Sequence, residues 1–350
     1  MMHSMHHFYI FNNFRSSSHP LQLFFKIIFL LTLLLSSAFA QSNEWELYHV
    51  KVYMENDLIA QQDSQYTGGA KVDVIYKIEN PDGLYNLLLL NDSKVYLFRS
   101  FAFASQLYTP ANLEEKEPIY NDWSYAAWTY FEVGVHKSTY KTLNSLLLKV
   151  GIVGPSAQGK EVQTAIHKWT GCETPEGWDN QLYDELGIDM TYIYKQRYEY
   201  ENDKRLGISV VPSFEADLGN ISTKASLGLF FRSGYNIAKD FGLSTMSVGG
   251  ESGIPAYKEQ KMSLKQKWSF SFNLALTGSA VARDIFVEGN TFRKSIVRHE
   301  RNNFVAYVGT GISLRYNSFN LDFMQTYNTP KAADIKRSKK VGTVLLTYLY

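Results

Sequence analysis

Trp268-Ser269-Phe270-Ser271-Phe272-Asn273-Leu274-Ala275-Leu276 places Trp268, Phe270, Phe272, Leu274 and Leu276 on one side of an extended chain, with Ser269, Ser271 and Asn273 on the other. A period of two marks a strand whose faces meet different surroundings. The same alternation runs through Leu206, Ile208, Val210, Pro212, Phe214 and Ala216 against Ser209, Ser213 and Glu215. It returns in Ala225, Leu227, Leu229 and Phe231 against Lys224, Ser226 and Arg232. Strands of a soluble sandwich run to about five or six residues, whereas a tilted strand crossing a bilayer needs about 9 to 11. These runs have the longer dimension, and the chain reads as an all-β protein, a transmembrane antiparallel β-barrel.

Working outward, the pattern predicts about twelve strands, an even number as in bacterial outer-membrane barrels. They fall near 47–58, 67–79, 94–108, 125–137, 142–153, 188–201, 206–217, 222–234, 267–283, 304–316, 318–328 and 340–350. The last carries Val344-Leu345-Leu346-Thr347-Tyr348-Leu349-Tyr350, an alternating strand ending on an aromatic. With the N-terminus in the periplasm, loops after odd-numbered strands lie outside the cell. The segment Tyr235 to Gln266 breaks this scheme, being long on the side where turns are normally short.

The start of the chain is expected to be an export signal. Lys26 precedes the apolar run Ile27 to Leu35, and Ala38-Phe39-Ala40 is a small-x-small cleavage pattern. The run is shorter than the roughly 20 residues of a membrane-spanning helix. Residues 1–40 are therefore read as a signal peptide and 41–350 as one outer-membrane barrel domain. A net charge of +1 with 20% charged residues excludes a strong nucleic-acid-binding field, and the single cysteine, Cys172, excludes an intrachain disulfide. With 24 Tyr and 22 Phe the chain is rich in the aromatics that suit a membrane boundary.

Between the fifth and sixth strands, after an irregular turn ending at Gly159, lies Lys160 to Thr170, whose spacing predicts a short helix in an extracellular loop. Val162, Ile166 and Trp169 form an apolar stripe expected to pack on the barrel, and Gln163 and His167, four apart, share the adjoining face. Gly171 is a natural stop, which puts Glu173 near His167. A second polar cluster, Glu55-Asn56-Asp57 with Tyr66-Thr67-Gly68-Gly69, flanks the first outer loop. By alternation His49, Lys51, Tyr53, Glu55 and Asp57 face the lumen, and Asn56 lies at the lipid side of the rim. Taken alone, Asn-Asp and Thr-Gly-Gly are also ordinary turn formers.

The pieces Glu55-Asn56-Asp57, Tyr66-Thr67-x-Gly69, Leu107-Tyr108-Thr109-Pro110, Gly151-x-Val153-Gly154-Pro155-x-Ala157-x-Gly159-x-x-Val162-Gln163-x-x-x-His167 and Gly177-Trp178-x-x-Gln181-Leu182 occur in order across the mature chain. Together they resemble the LpxR-type lipid A deacylases. The resemblance implies an outer-membrane enzyme that removes the 3′-acyloxyacyl group of lipid A, in the lipopolysaccharide of the outer leaflet, with the help of Ca2+. It implies His167 as the base that activates water, and Asn56, Asp57, Thr67, Gln163 and Glu173 as the other polar positions of the site. Asp57, Thr67 and Glu173 offer the oxygen ligands calcium prefers, although Glu173 could instead orient His167. An imidazole with its ordinary pKa near about 6.5 can take a proton from water at neutral pH. The expected protein is a membrane-embedded monomer.

One position departs from the family's pattern. An Arg-Pro-Tyr-Ala-Gly-like run precedes the fourth strand in the family, whereas Asp122-Trp123-Ser124-Tyr125-Ala126-Ala127 stands here, with Trp123 at the arginine position. The grip on lipid phosphate is thus in question, with Lys116, Lys160 and Lys168 as candidate replacements. Two other classes stay open from the residues alone. One is a phospholipase using a serine such as Ser156, and the other is a non-catalytic pore or surface-binding barrel.

Overall fold

In the computed structural model, the structure describes residues 45–56, 65–90, 94–246, 254, 267–336 and 338–350. The expected signal peptide and Asp57 lie outside them. The strands are β1 (Trp45–Asn56), β2 (Gln65–Ile78), β3 (Tyr96–Thr109), β4 (Ala126–Ser138), β5 (Thr142–Val153), β6 (Glu185–Gln196), β7 (Tyr198–Glu201), β8 (Leu206–Gly219), β9 (Ser222–Tyr235), β10 (Trp268–Asp284), β11 (Phe304–Tyr316), β12 (Phe319–Asn328) and β13 (Lys339–Leu349). All pair antiparallel with their neighbours. The first and last strands meet from His49 opposite Leu349 to Asn56 opposite Gly342.

The twelve expected strands are all present, their ends coinciding or differing by at most three residues. One of them is interrupted. β6 pairs with β8 from Asp189 to Lys195, and after Arg197 the short β7 continues the same pairing from Tyr198 opposite Val210. Arg197 is buried; it donates to the Tyr140 carbonyl at 3.0 Å and pairs with Glu199. β6 and β7 thus form one stave, and the sheet closes as a twelve-stave antiparallel barrel.

Side chains divide as the alternation predicts, but inside out relative to a soluble protein. Met54, Phe131, Leu227 and Phe272 are exposed on the outer surface. His49, Lys51, Tyr53 and Glu55 are buried in the lumen. There charged groups neutralise one another: Lys51 lies 3.3 Å from Asp73, Lys71 2.6 Å from Glu132, and Lys224 3.3 Å from Asp217. At one end three turns are short, at 139–141, 202–205 and 317–318, beside longer connections at 79–95 and 236–267, while most loops at the other end are long. Outer-membrane barrels have short periplasmic turns and long external loops, so the long-loop end is the extracellular rim.

The exception at 235–266 has a structural explanation: its first part folds back into the lumen. Asn236 turns the chain with φ 47°, its N–H bonded to the Arg205 carbonyl at 2.8 Å. Lys239 pairs with Glu199 and lies 2.8 Å from Glu201, and Asp240 lies 2.8 Å from Arg232. Ile237 is buried, and Phe241, Leu243 and Ile254 join a core with Tyr53, Phe230, Met324 and Leu345. Gly242 has φ +83°, and a Cβ there would approach the Phe230 ring to 2.6 Å. The described climb ends near the outer rim, where the Met246 N–H donates to Glu55 at 2.6 Å and Gln106 donates to the Met246 carbonyl at 3.4 Å.

Loops seal the outer mouth. A short helix, α2 (Ile285–Glu288, numbered after α1 below), brings Ile285, Phe286 and Val287 over Trp123, Trp128 and Tyr130. Its first turn is capped by Asp284, which accepts from the Phe286 N–H at 3.1 Å. Phe286 stacks on Tyr108 with centroids 3.8 Å apart. Ala332 and Ile335 complete the cover.

Arg232 holds the lumenal segment at two points, Asp240 at 2.8 Å and the Ala238 carbonyl at 3.1 Å, and is itself steadied by Asn273 of β10 at 3.2 Å. Breaking a buried ion pair by removing one partner costs about 3–5 kcal/mol. Arg232→Ala is expected to destabilise the barrel by an amount of that order, read as a lower urea midpoint of the folded, heat-modifiable form in detergent. An unchanged midpoint would show that the segment is not anchored in this way.

Candidate active site on the outer wall

The rim hairpin is built from register. Asn56 pairs with Gly68 and Glu55 with Gly69, and a Cβ at Gly68 would come 2.7 Å from the Glu55 carbonyl. A bulge between Tyr66 and Gly68, where β2 meets β3, releases Thr67 from the alternation. Thr67 is buried, its hydroxyl 2.5 Å from that of Thr109. Thr109 continues the outward row of Leu107, so these oxygens belong to the outside of the wall. Asn56 lies on the same outward face of β1.

The helix packs against that outside surface. Pro155–Ala157 makes one 3-10 turn, Gln158 takes a left-handed conformation with φ 59°, and α1 (Gly159–Thr170) follows. Gly171, at φ 75°, ends it with its N–H on the His167 carbonyl. Gly159 permits close docking: a Cβ there would lie 2.5 Å from Ala127 Cβ and 2.6 Å from the Trp178 ring. Ala127 alternates with the inward-facing Trp128 and Tyr130, so α1 lies over the outer surface of β4. Trp178 is fully buried beside Tyr125, and with Leu107, Leu113, Ala127 and Ala157 it makes an apolar seat.

The face turned inward is not the expected one. Gly159, Gln163 and His167 are the buried residues of α1, whereas Val162 and Ile166 are half-buried and Trp169 is 53% exposed. Of the apolar stripe, Val162 packs against this seat, while Ile166 and Trp169 do not form the packed face. Next to a bilayer the preference inverts: apolar groups are stable toward lipid, and polar ones need protein partners.

Those partners define the site. Trp178 Nε1 donates to Gln163 Oε1 at 2.8 Å, leaving Gln163 Nε2 buried without a partner among the described residues. His167 Nδ1 lies 2.5 Å from the carbonyl oxygen of Glu173. A carbonyl only accepts, so Nδ1 carries the proton and Nε2 holds the lone pair in the neutral ring. Glu173 therefore meets His167 through its backbone, while its side chain is exposed. The returning limb is fixed by Glu176 N–H on the Leu113 carbonyl at 2.8 Å and Leu182 N–H on the Tyr125 carbonyl at 2.9 Å.

Other sequence candidates are engaged elsewhere. Ser156 Oγ lies 2.8 Å from Asp184 and its N–H bonds the same carboxylate at 2.8 Å. Lys160 lies 2.8 Å from Asp179, whose hydrogen bond pushes the ammonium pKa up, and Lys116 is 3.8 Å from Glu176. Cys172 accepts from the Thr170 hydroxyl at 3.2 Å. Trp123 is buried in the mouth, where it packs rather than binding anything outside. Sequence reasoning gave no role to Thr109 or to the Trp178 indole N–H. Both stand in the quoted motifs, but only the β2–β3 bulge and the return limb bring them to Thr67 and Gln163.

A family model described as "Outer membrane protein LpxR" matches residues 26–350. The chain belongs to the LpxR family. It is similar in structure to LpxR from Salmonella typhimurium, with a TM-score of 0.70 and 16% identity over 86% of this chain and 100% of that one. Weaker likenesses include the β-domain of the Bordetella autotransporter BrkA, at TM-score 0.41 and 8% identity over 88% of this chain and 100% of that one. The translocator domain of NalP from Neisseria meningitidis follows at TM-score 0.38 and 9% identity over 95% and 99%. No curated protein matches the sequence. This LpxR family member is an integral outer-membrane barrel, and family and fold together support an outer-membrane lipid A deacylase.

Gly159→Val tests the docking of α1. Overpacking of this kind costs about 1–3 kcal/mol. The expected result is a red-shifted tryptophan emission as Trp178 meets water, with the barrel still heat-modifiable. Unchanged emission would mean that the helix does not rely on this close approach.

Proposed function

We propose that this LpxR family member hydrolyses the ester carrying the 3′-acyloxyacyl chain of lipid A, with His167 as the general base. One observation carries the reading: the tautomer of His167 is set by the Glu173 carbonyl, 2.5 Å from Nδ1. Nε2 then serves as a base in a cleft between α1 and the outer wall. A substrate in the outer leaflet reaches that cleft laterally. In the proposed step Nε2 takes a proton from water as the water attacks the ester carbonyl, and the imidazolium returns a proton to the departing sugar oxygen. Gln163 Nε2, buried and unpartnered, supplies a donor to the substrate.

Asn56, Thr67 and Glu173 carry oxygen atoms of the kind calcium takes, and among the described residues no three His, Cys, Asp or Glu side chains form a metal-holding cluster. Asp57, Thr67 and Glu173 are the proposed ligands. A bound calcium would supply Lewis-acid stabilisation of the developing oxyanion. The phospholipase alternative loses its nucleophile, because Ser156 is exposed and bonded to Asp184.

The test is lipid A mass spectrometry after expression in a lipid A-producing host. The wild type is expected to yield 3′-deacylated lipid A. Loss of a general base lowers the rate by about 10²–10⁴-fold, so His167→Ala should give no detectable product while remaining heat-modifiable. Chelation should abolish turnover and added calcium restore it. Full activity of His167→Ala, or a lipid A profile unaltered by the wild type, would overturn the proposal.

A further inference from the structure

Charge is divided across the extracellular mouth. Residues 285–303 and 329–340 together carry nine Lys/Arg against three Asp/Glu. Residues 110–125 and 154–184 carry the reverse, nine Asp/Glu against three Lys/Arg. A net charge of +1 for the chain conceals this division. The basic half is an ordered structure: an Arg301–Ala332 bridge joins its two loops, with Asn302 N–H on the Lys331 carbonyl at 2.7 Å and Ala333 N–H on the Glu300 carbonyl at 2.7 Å.

Some of its charges are already compensated. Glu288 lies 3.7 Å from Arg283 and 3.5 Å from Arg301, Lys331 pairs with Asp284 at 3.5 Å, and Asp334 is 2.6 Å from His299. Arg293, Lys294, Arg298 and Lys336 are exposed and make no ion pair among the described residues. They are uncompensated cations of the basic half among the described residues.

Two attachments tie this patch to the elements around the site. Ser124 Oγ donates to the Val297 carbonyl at 2.9 Å, and His299 Nε2 donates to the Asp122 carbonyl at 2.8 Å. Arg298 lies between these two pins in sequence, as Trp123 lies between Asp122 and Ser124. Asn290 makes paired bonds to the Tyr183 backbone at 2.9 and 2.8 Å, and the Arg293 guanidinium lies 3.6 Å from the Tyr183 ring centroid. Tyr183 belongs to the limb that returns from α1 to β6. Phe292, 83% exposed among these cations, gives the patch an apolar edge suited to the lipid interface.

We propose that Arg293, Lys294, Arg298 and Lys336 form a docking surface for the phosphate groups of lipid A, orienting the glycolipid so that its ester enters the His167 cleft. The assignment rests on the proposed substrate and names where its anionic headgroup is held. Guanidinium and ammonium groups on an ordered frame recognise phosphate through charge-assisted hydrogen bonds. The acidic loops opposite disfavour the same anion, which gives the headgroup one orientation across the mouth.

The test is a quadruple variant, Arg293→Gln, Lys294→Gln, Arg298→Gln and Lys336→Gln, in the full barrel with heat-modifiability as the folding control. On phosphorylated lipid A its KM should rise by about tenfold or more, the scale of a modest loss of binding free energy, with kcat within about twofold. On dephosphorylated lipid A the variant and the wild type should agree. Equal KM on phosphorylated lipid A, or an equal loss on both lipids, would overturn the proposal. A second arm uses the protein carrying His167→Ala, with and without the four substitutions, and measures co-sedimentation with each lipid. Selective retention of phosphorylated lipid A that depends on the four cations supports docking even if no deacylation is found. Retention indifferent to phosphate, or to the four cations, removes it.

Discussion

The hydrocarbon interior of a membrane offers no hydrogen-bond partner to a backbone N–H or C=O, and each unmet group there costs several kcal/mol. Closure of the sheet, through β1 with β13 and β6 with β8, is how this chain meets that constraint. Both contacts are long-range in sequence, and the rest of the structure depends on them. Closure creates a lumen that must be filled by polar groups with partners of their own, and an outer surface on which apolar side chains are stable. The lysine–carboxylate pairs of the interior and the outward rows of Phe and Leu are two consequences of one geometry.

The same constraint explains the filling of the barrel. A closed twelve-stave barrel encloses space that its own side chains only partly occupy. Here the segment after β9 enters it, bringing Phe241 and Leu243 to the centre and pairing Lys239 and Asp240 with wall groups that would otherwise remain charged and unpartnered. At the outer mouth Trp123, Phe286 and Ile335 pack together. The proposed chemistry on a bilayer lipid is accordingly assigned to the outside of the barrel, where α1 is laid against the wall.

Strand positions and facing were legible because period-two alternation is a local property, written into each run such as Trp268 to Leu276. The break at Arg197 was not, since it depends on a carbonyl 57 positions away at Tyr140. The lumenal path of 236–246 was visible only as a loop too long for its side. The helix shows the limit most clearly. Its amphipathicity was plain in the sequence, but which face turns inward depends on the medium outside: Val162 packs on the barrel as expected, whereas Ile166 and Trp169 turn away from it. Of the site, Gln163 and His167 were legible as an i, i+4 pair. The Thr67–Thr109 contact needs the bulge in β2, and the role of the Glu173 carbonyl needs the turn at Gly171.

The orientation of the helix also sets what the candidate site presents to its surroundings. With Gly159, Gln163 and His167 turned to the wall, the flank of α1 presented outward is Ile166 and Trp169, a surface at ease with acyl chains. The polar groups behind it are shielded from the hydrocarbon by the helix itself and held by Trp178 and the Glu173 carbonyl. A reactive imidazole at a membrane boundary faces two hazards: exposure to bulk water, where its position is poorly fixed, and burial in lipid, where its charged form is strongly disfavoured. His167 avoids both, being buried, hydrogen-bonded to the Glu173 carbonyl and carried on an amphipathic helix. In the proposed reaction, an ester lying at the glycolipid's own polar–apolar boundary would meet the histidine at that depth.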